Sequence, residues 1–177
     1  MMWRIKRLNI IITGKPGSGK TTLIKKIKNY LEKKGASIGG IFTPEIREGK
    51  KRIGFEIIDI MTNERGILAE KGAPGPRVGS YGVNLETIKR VGIPGIEKAI
   101  KSADYIIIDE VAPMELKDPN FLVKVEEAFS SDKTVIAAFH RKLIQNIKDR
   151  EDVQIFKIDP KNREIVYEEI KSIIEGK

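Results

Sequence analysis

The stretch IIITGKPGSGKTTLIKKI, residues 10–27, decides the fold. Three isoleucines run into the loop Gly14-Lys15-Pro16-Gly17-Ser18-Gly19-Lys20-Thr21. Apolar residues then return at Leu23, Ile24, Ile27, Tyr30 and Leu31. Their spacing of three and four marks one stripe of a helix, from about Gly19 to Lys34. Lys33 and Lys34 suit its C-terminal end, and Gly35 its stop. Residues 8–13, LNIIIT, are a nearly continuous apolar run, as in a parallel strand covered on both faces. Between a strand and a helix, the pattern G-x-x-x-x-G-K-[ST] binds phosphate. Glycines let the backbone turn so that several N–H groups point into one concavity. Gly19 lies where the helix begins, so the positive end of the helix dipole also faces the anion. Lys20 can reach the β- and γ-phosphates, and the Thr21 hydroxyl can join the coordination of Mg²⁺. The predicted nucleotide-binding set is Gly14, Lys15, Pro16, Gly17, Ser18, Gly19, Lys20, Thr21 and Thr22. Lys15 either points at a phosphate or into solvent.

A second element must complete such a site. YIIIDE, residues 105–110, is an apolar strand that ends in two acids. Asp109 is the expected second Mg²⁺ ligand beside Thr21. Glu110, at the strand's end, can orient a water over the γ-phosphate and accept its proton, so Glu110 and Lys20 are the expected catalytic pair. A kinase needs an acceptor pocket and a way to exclude water. A hydrolase needs a carboxylate beside the attacking water, and Glu110 favours hydrolysis.

The rest of the chain extends this frame. SIGGIFTPEI (37–46) and KRIGFEIIDIM (51–61) read as strands joined by a hairpin turn at REGKK, and RGILAE (65–70) is a possible partner. Residues 38–82 are expected as a β-rich, antiparallel insertion, with KGAPGPRVGSYG (71–82) a surface loop. Then segments alternate. GIEKAIKSA is a helix, DYIIIDE a strand and NFLVKVEEAFSS a helix, with Asp118 as N-cap and Pro119 in the first turn. KTVIAAFH is a strand, KLIQNIKDR a short helix, VQIFKI a strand and PKNREIVYEEIKSIIEG a last helix. Alternation of this kind predicts an α/β fold, a mostly parallel sheet with helices on both faces, within a single domain spanning 1–177.

Composition sets limits. The chain has 177 residues, 40% hydrophobic and 33% charged, as in a globular protein rather than a disordered one. No apolar run approaches the roughly 20 residues that cross a bilayer. The charged N-terminus followed by an apolar run resembles a signal peptide, but the run passes directly into the glycine loop and reads as a first strand. No cysteine is present, which excludes disulfides and thiolate metal sites, and a cytoplasmic location is the expectation. Net charge is +8, yet the lysines interleave with glutamate, so a solvated surface is favoured over nucleic acid. A monomer is expected. The Lys, Glu and Ile content also suits a thermophile.

Other residues carry two readings each. Arg47, in TPEIR, either stabilises charge on the transferring phosphoryl group or pairs with Glu45 or Glu48. His140 and Arg141 follow the strand KTVIAAFH, on the edge where α/β sheets bind ligands, and either sense the γ-phosphate or cap the next turn. Arg77 and Tyr81 could meet the base or only fill a loop. Met114 and Leu116 read as core or rim. His140 is the sole histidine, so a histidine-based metal cluster is excluded.

Taken with the loop, the segments GGIFTPEIR, RIGFEIIDI, VGSYGVN and IIIDEVAPMEL make the sequence resemble a family of small stand-alone nucleoside-triphosphatases of thermophiles, which has a cancer-related human relative. The resemblance covers nearly the whole chain, with Val111-Ala112 in place of the usual Ile-Gly. It implies a RecA-like, additional-strand phosphate-loop fold, a three-layer sandwich in which a glutamate follows the metal aspartate. It further implies Mg²⁺-dependent hydrolysis of ATP, GTP and other nucleoside triphosphates to diphosphate and phosphate, with loose base selectivity. The alternatives are a nucleotide or small-molecule kinase and a nucleotide-dependent RNA-binding switch.

Overall fold

The computed structural model describes residues 8–176, so the charged residues 1–7 of the N-terminal stretch lie outside it. The chain opens with β1 (Asn9–Thr13) and α1 (Lys20–Lys33), whose buried face is Leu23, Ile24, Ile27 and Leu31. Five β-segments follow: β2 (Ile38–Phe42), β3 (Glu45–Glu48), β4 (Lys51–Asp59), β5 (Arg65–Lys71) and the short β6 (Arg77–Val78). β7 (Tyr81–Val83) leads into α2 (Leu85–Thr87), which continues through a π-helical turn, Ile88–Gly92, into α3 (Ile93–Ser102). The remainder alternates: β8 (Tyr105–Val111), α4 (Pro119–Ser130), β9 (Thr134–Phe139), β10 (Val153–Lys157) and α5 (Arg163–Ile174).

All the strands join one sheet in the order β10-β1-β9-β8-β2-β4-β5-β7-β6, with β3 paired to β4. From β10 to β2 every neighbouring pair is parallel; from β2 onward the pairs are antiparallel. Strand alternation sorts the core into two layers. Ile10, Ile12, Ile107, Ile136 and Ala138 face α1 and α5, packing on Leu23, Ile27, Val166 and Ile170. Ile11, Ile106, Ile108, Val135 and Ala137 face α3 and α4, packing on Ile96, Ala99, Phe121 and Val125. The result is the three-layer, mostly parallel α/β architecture with an antiparallel extension. At Gly40, φ is +116°, and a Cβ would lie 1.8 Å from the Ile107 carbonyl oxygen. Only glycine lets β2 lie this close to β8.

Several local expectations need correction. SIGGIFTPEI is two strands, because the chain breaks at Thr43-Pro44: the Thr43 N–H turns to the Asp109 carbonyl at 2.6 Å, and proline has no N–H to continue a ladder. The loop 71–82 contains β6 and the start of β7, and Tyr81 is only 7% exposed. Its ring packs edge-on to Phe55 at 5.5 Å, and its hydroxyl accepts from Arg52 Nε at 2.9 Å, so it serves the core of the extension rather than a base. Arg77 donates to the Ser80 carbonyl in the same hairpin. Helix starts at Leu85, not Gly95, because the Asn84 side chain accepts from the N–H groups of Glu86 and Thr87. KLIQNIKDR is a 3₁₀ turn over Arg141–Asn146, capped by His140 and too short for a paired α-helix. The last helix starts at Arg163 rather than Pro160, because Asp159 and Asn162 hold a turn through side chain to backbone hydrogen bonds.

Candidate active site

β1 delivers the glycine loop to the carboxyl edge of the parallel strands, where ligands of open α/β sheets bind. Gly19 is the N-cap of α1, with φ +95°, and no side chain caps the helix, so its first N–H groups stay free for an anion. The Ser18 N–H closes the loop on the Lys15 carbonyl at 3.1 Å. Lys20 folds back so that Nζ donates to the Gly14 carbonyl at 3.0 Å. Lys15, Pro16 and Gly17 are exposed at the loop's crest, and Thr21 and Thr22 are exposed on the first turn of α1. Among the described residues the buried hydroxyls of Thr13 and Ser18 have no hydrogen-bond partner, which fits a loop built around an anion.

β8 lies two strands away from β1, with β9 between them, and brings its acids to the same edge. The Thr21 hydroxyl faces the Asp109 carboxylate closely enough to hold its pKa down, and Lys20 Nζ lies 3.9 Å from Glu110 Oε2. Burial pushes the Asp109 carboxyl up, against the Thr21 hydroxyl and the charges of Lys20 and Lys25. Burial likewise pushes Glu110 up to about 7; Lys20 opposes the shift and Asp109 adds to it. Glu110 Oε2 is itself buried without a hydrogen-bond partner among the described residues. A carboxylate in that state is a better proton acceptor than a solvated one.

The acids are held by a residue that sequence reasoning passed over. The Thr43 hydroxyl donates to the Asp109 carbonyl and accepts from the Glu110 N–H, each at 2.9 Å. The Asp109–Glu110 peptide between them is cis. Thr43 opens the segment TPEIR, whose charged residues carry the more obvious chemistry. Beyond Glu110, the buried Glu115 carboxylate group accepts from the Ala112 N–H at 3.2 Å and ties down the turn that follows the strand. Burial holds that carboxyl well above the usual range.

Among the described residues no group of three or more His, Cys, Asp or Glu side chains could enclose a metal ion. What exists is one hydroxyl and one carboxylate in contact, Thr21 and Asp109, both hard oxygen donors. That set fits Mg²⁺, which takes few protein ligands and completes its shell with water and phosphate oxygens.

His140 comes to the same edge through β9, its N–H bonded to the Val111 carbonyl at 2.9 Å. Nδ1 accepts from the Lys142 N–H, which leaves the neutral ring's proton on Nε2. Burial foremost, then Lys20, lowers its pKa, so the ring is neutral near pH 7 and can donate from Nε2. Arg141, next along, is exposed. Arg47 is bound elsewhere: it pairs with Glu45 at 2.6 Å and donates to the Lys50 carbonyl, bracing the β3–β4 hairpin.

Comparison with known proteins bears on the family and the fold. The sequence profile of the family described as NTPase matches residues 9–171. A protein of Methanothermobacter thermautotrophicus named nucleoside-triphosphatase THEP1 is 49% identical over 160 residues, covering 90% of this chain and 92% of that protein. The Thermotoga maritima protein of the same name is 44% identical over 171 residues, or 94% and 95% of the two chains. The crystal structure of THEP1 from the hyperthermophile Aquifex aeolicus superposes with a TM-score of 0.82 at 34% identity, covering 95% of this chain and 99% of that one. The solution structure of a human cancer-related nucleoside triphosphatase gives 0.80 at 29% identity, with 96% and 98% covered.

Proposed function

The chain belongs to the NTPase family, and from that premise we propose that it is a Mg²⁺-dependent hydrolase of ATP, GTP and other nucleoside triphosphates, with loose base selectivity. The observation that carries the reading is the meeting of Asp109 and Glu110 with Thr21 and Lys20 at one edge of the sheet.

The loop N–H groups between Gly14 and Thr22, Pro16 excepted, grip the β-phosphate, helped by the free end of α1. Lys20 leaves the Gly14 carbonyl for oxygens of the β- and γ-phosphates. Thr21 and Asp109 would hold Mg²⁺, which would supply positive charge against the phosphate tail. Glu110 takes a proton from the attacking water as the new P–O bond forms and the bond to the β-phosphate oxygen breaks. Its raised pKa makes it basic enough to do so. His140 donates from Nε2 to a γ-oxygen, where charge is redistributed in the transition state. Catalysis is mostly placement and charge stabilisation, because phosphoryl transfer needs little covalent chemistry from the protein.

No helix among the described residues is long and apolar enough to cross a membrane. The test is phosphate release from a panel of nucleoside triphosphates with Mg²⁺, comparing the parent with Glu110→Gln. The variant should bind nucleotide and lose turnover by roughly 100-fold or more, the scale of a general base. Normal turnover would remove Glu110 from the mechanism.

A further inference from the structure

We propose that Arg163 is the platform for the nucleoside end of the substrate, its guanidinium plane stacking on the face of the base. The inference rests on the hydrolase reading above, which fixes the direction in which a triphosphate lies.

That direction follows from strand order. The loop after β1 is flanked on one side by β9 and β8, which carry His140, Asp109 and Glu110, and on the other by β10. A γ-phosphate that meets Glu110 leaves the nucleoside to run the opposite way, toward the segment joining β10 to α5. Arg163 is the first residue of α5. Its guanidinium lies directly over the loop: a Cβ added to Gly19 would stand 2.1 Å from Nη1 and 3.1 Å from Cζ of Arg163. Glycine at position 19 therefore serves twice, in its left-handed conformation and in leaving room for this side chain.

The arginine is presented rather than used. Its neighbour Glu164 pairs with Lys26 at 2.6 Å, yet among the described residues the Arg163 guanidinium has no ion pair and no hydrogen bond. It is half-buried. A cation at the first residue of a helix also opposes the helix dipole. A residue that breaks a local rule without a local gain marks a functional position. Its backbone is fixed: the Ile158 N–H donates to the Thr13 carbonyl at 2.9 Å, and Asn162 Nδ2 to the Lys157 carbonyl at 3.0 Å. α5 is locked against α1 by Val166, Tyr167 and Ile170 and by Lys26 over the Tyr167 ring at 4.2 Å.

The chemistry favours a base over a phosphate. A guanidinium is planar and weakly hydrated and stacks on aromatic faces. Every base has such a face, so this contact accepts purines and pyrimidines alike without reading their edges. The phosphates already have Lys20 and the loop amides.

Calorimetric titration of the parent, Arg163→Ala and Arg163→Lys with Mg²⁺ separates the two chemistries. The probes are non-hydrolysable analogues of ATP, GTP, CTP and UTP, and inorganic tripolyphosphate. Both variants should weaken all four analogues about 5- to 10-fold, as expected for a partly desolvated cation–π contact, and leave tripolyphosphate within about 2-fold. Equal weakening of tripolyphosphate, or full rescue by lysine, would make Arg163 a phosphate contact and overturn the proposal. Unchanged affinity for the analogues in Arg163→Ala would also overturn it. The lysine variant keeps the charge and stem, so it decides the matter even where alanine unsettles α5. These are binding measurements, so they stand apart from loss of hydrolysis in Glu110→Gln.

Discussion

The parallel strands β10, β1, β9, β8 and β2 and the antiparallel strands β3 to β7 share one sheet but solve different problems. In the parallel half the central strands are covered on both faces: β1 and β9 are buried at every position. Buried polar side chains along such strands need partners, as Asn9 finds in the Phe129 carbonyl and the Val135 N–H, and those without them collect at the carboxyl ends, where Thr13, Asp109, Glu110 and His140 stand. In the extension, β3 and β4 mix exposed, half-buried and buried residues, and their charges pair locally, Arg47 with Glu45 and Arg65 with Glu56. One half concentrates unpaired polar groups at an edge; the other neutralises them where they lie. The two halves meet at Thr43, which leaves β2 to hold the peptide between the acids.

That contrast predicts opposite responses to mutation. Tyr81→Ala removes the extension's buried ring from Phe55 and Arg52 and should cost about 3 kcal/mol of stability. Phosphate release by the folded fraction should stay within about 2-fold, since no atom of Tyr81 belongs to the site. Chemical denaturation paired with turnover at moderate temperature checks this, and a turnover loss larger than the folded fraction explains would show that the extension shapes the chemistry. The site should respond the other way. Glu110 has a raised pKa in the folded protein, so its contribution to stability is complete below its ordinary value and is lost as pH rises through about 7. In metal-free protein, Glu110→Gln should therefore be more stable than the parent by about 2 kcal/mol at pH 8, allowing for partial exposure, and equal to it near pH 4.5. Melting curves with a chelator across that range test it; equal melting at pH 8 would mean the carboxylate is not strained by burial.

How far the sequence was legible follows the same division. The glycine loop and the acid-ended strand are local patterns, each set by residue type and spacing, and both could be read directly. Their meeting was an inference from alternation, since only a parallel sheet brings residues 14–22 and 109–110 to one edge. The extension was harder. Tyr81 looked like a loop aromatic because Gly and Pro surround it, and only the pairing of β7 with β5 buries it. Arg47 carried two readings, and the one that holds is local: Glu45, two residues back on the same strand β3, takes its guanidinium. Thr43 and Arg163 were missed for a shared reason. Each works through contacts with residues more than sixty positions away, which no local spacing reveals, even though Thr43 opens the TPEIR segment.

The smallest effect tests the joint itself. Thr43→Val keeps the shape of the side chain and the backbone N–H bond to the Asp109 carbonyl, and the β2–β8 register continues to pair Phe42 with Asp109. What it removes is the hydroxyl that accepts from the Glu110 N–H. That N–H is then left without its partner, and Glu110 gains freedom to turn away from the γ-phosphate. A positioning loss of this kind should lower turnover about 10-fold, equivalent to about 1.4 kcal/mol in the barrier. Nucleotide affinity should hold within about 2-fold, because the loop amides and Lys20 are untouched. Thr43→Ser, which restores the hydroxyl without the methyl group, should recover most of the rate. A merely structural threonine would give the reverse pattern: serine and valine would each lose stability in proportion to packing, and turnover per folded molecule would not move. The split between rate and affinity, with rescue by serine, is thus what distinguishes an extension that aims the catalytic acids from one that only widens the sheet.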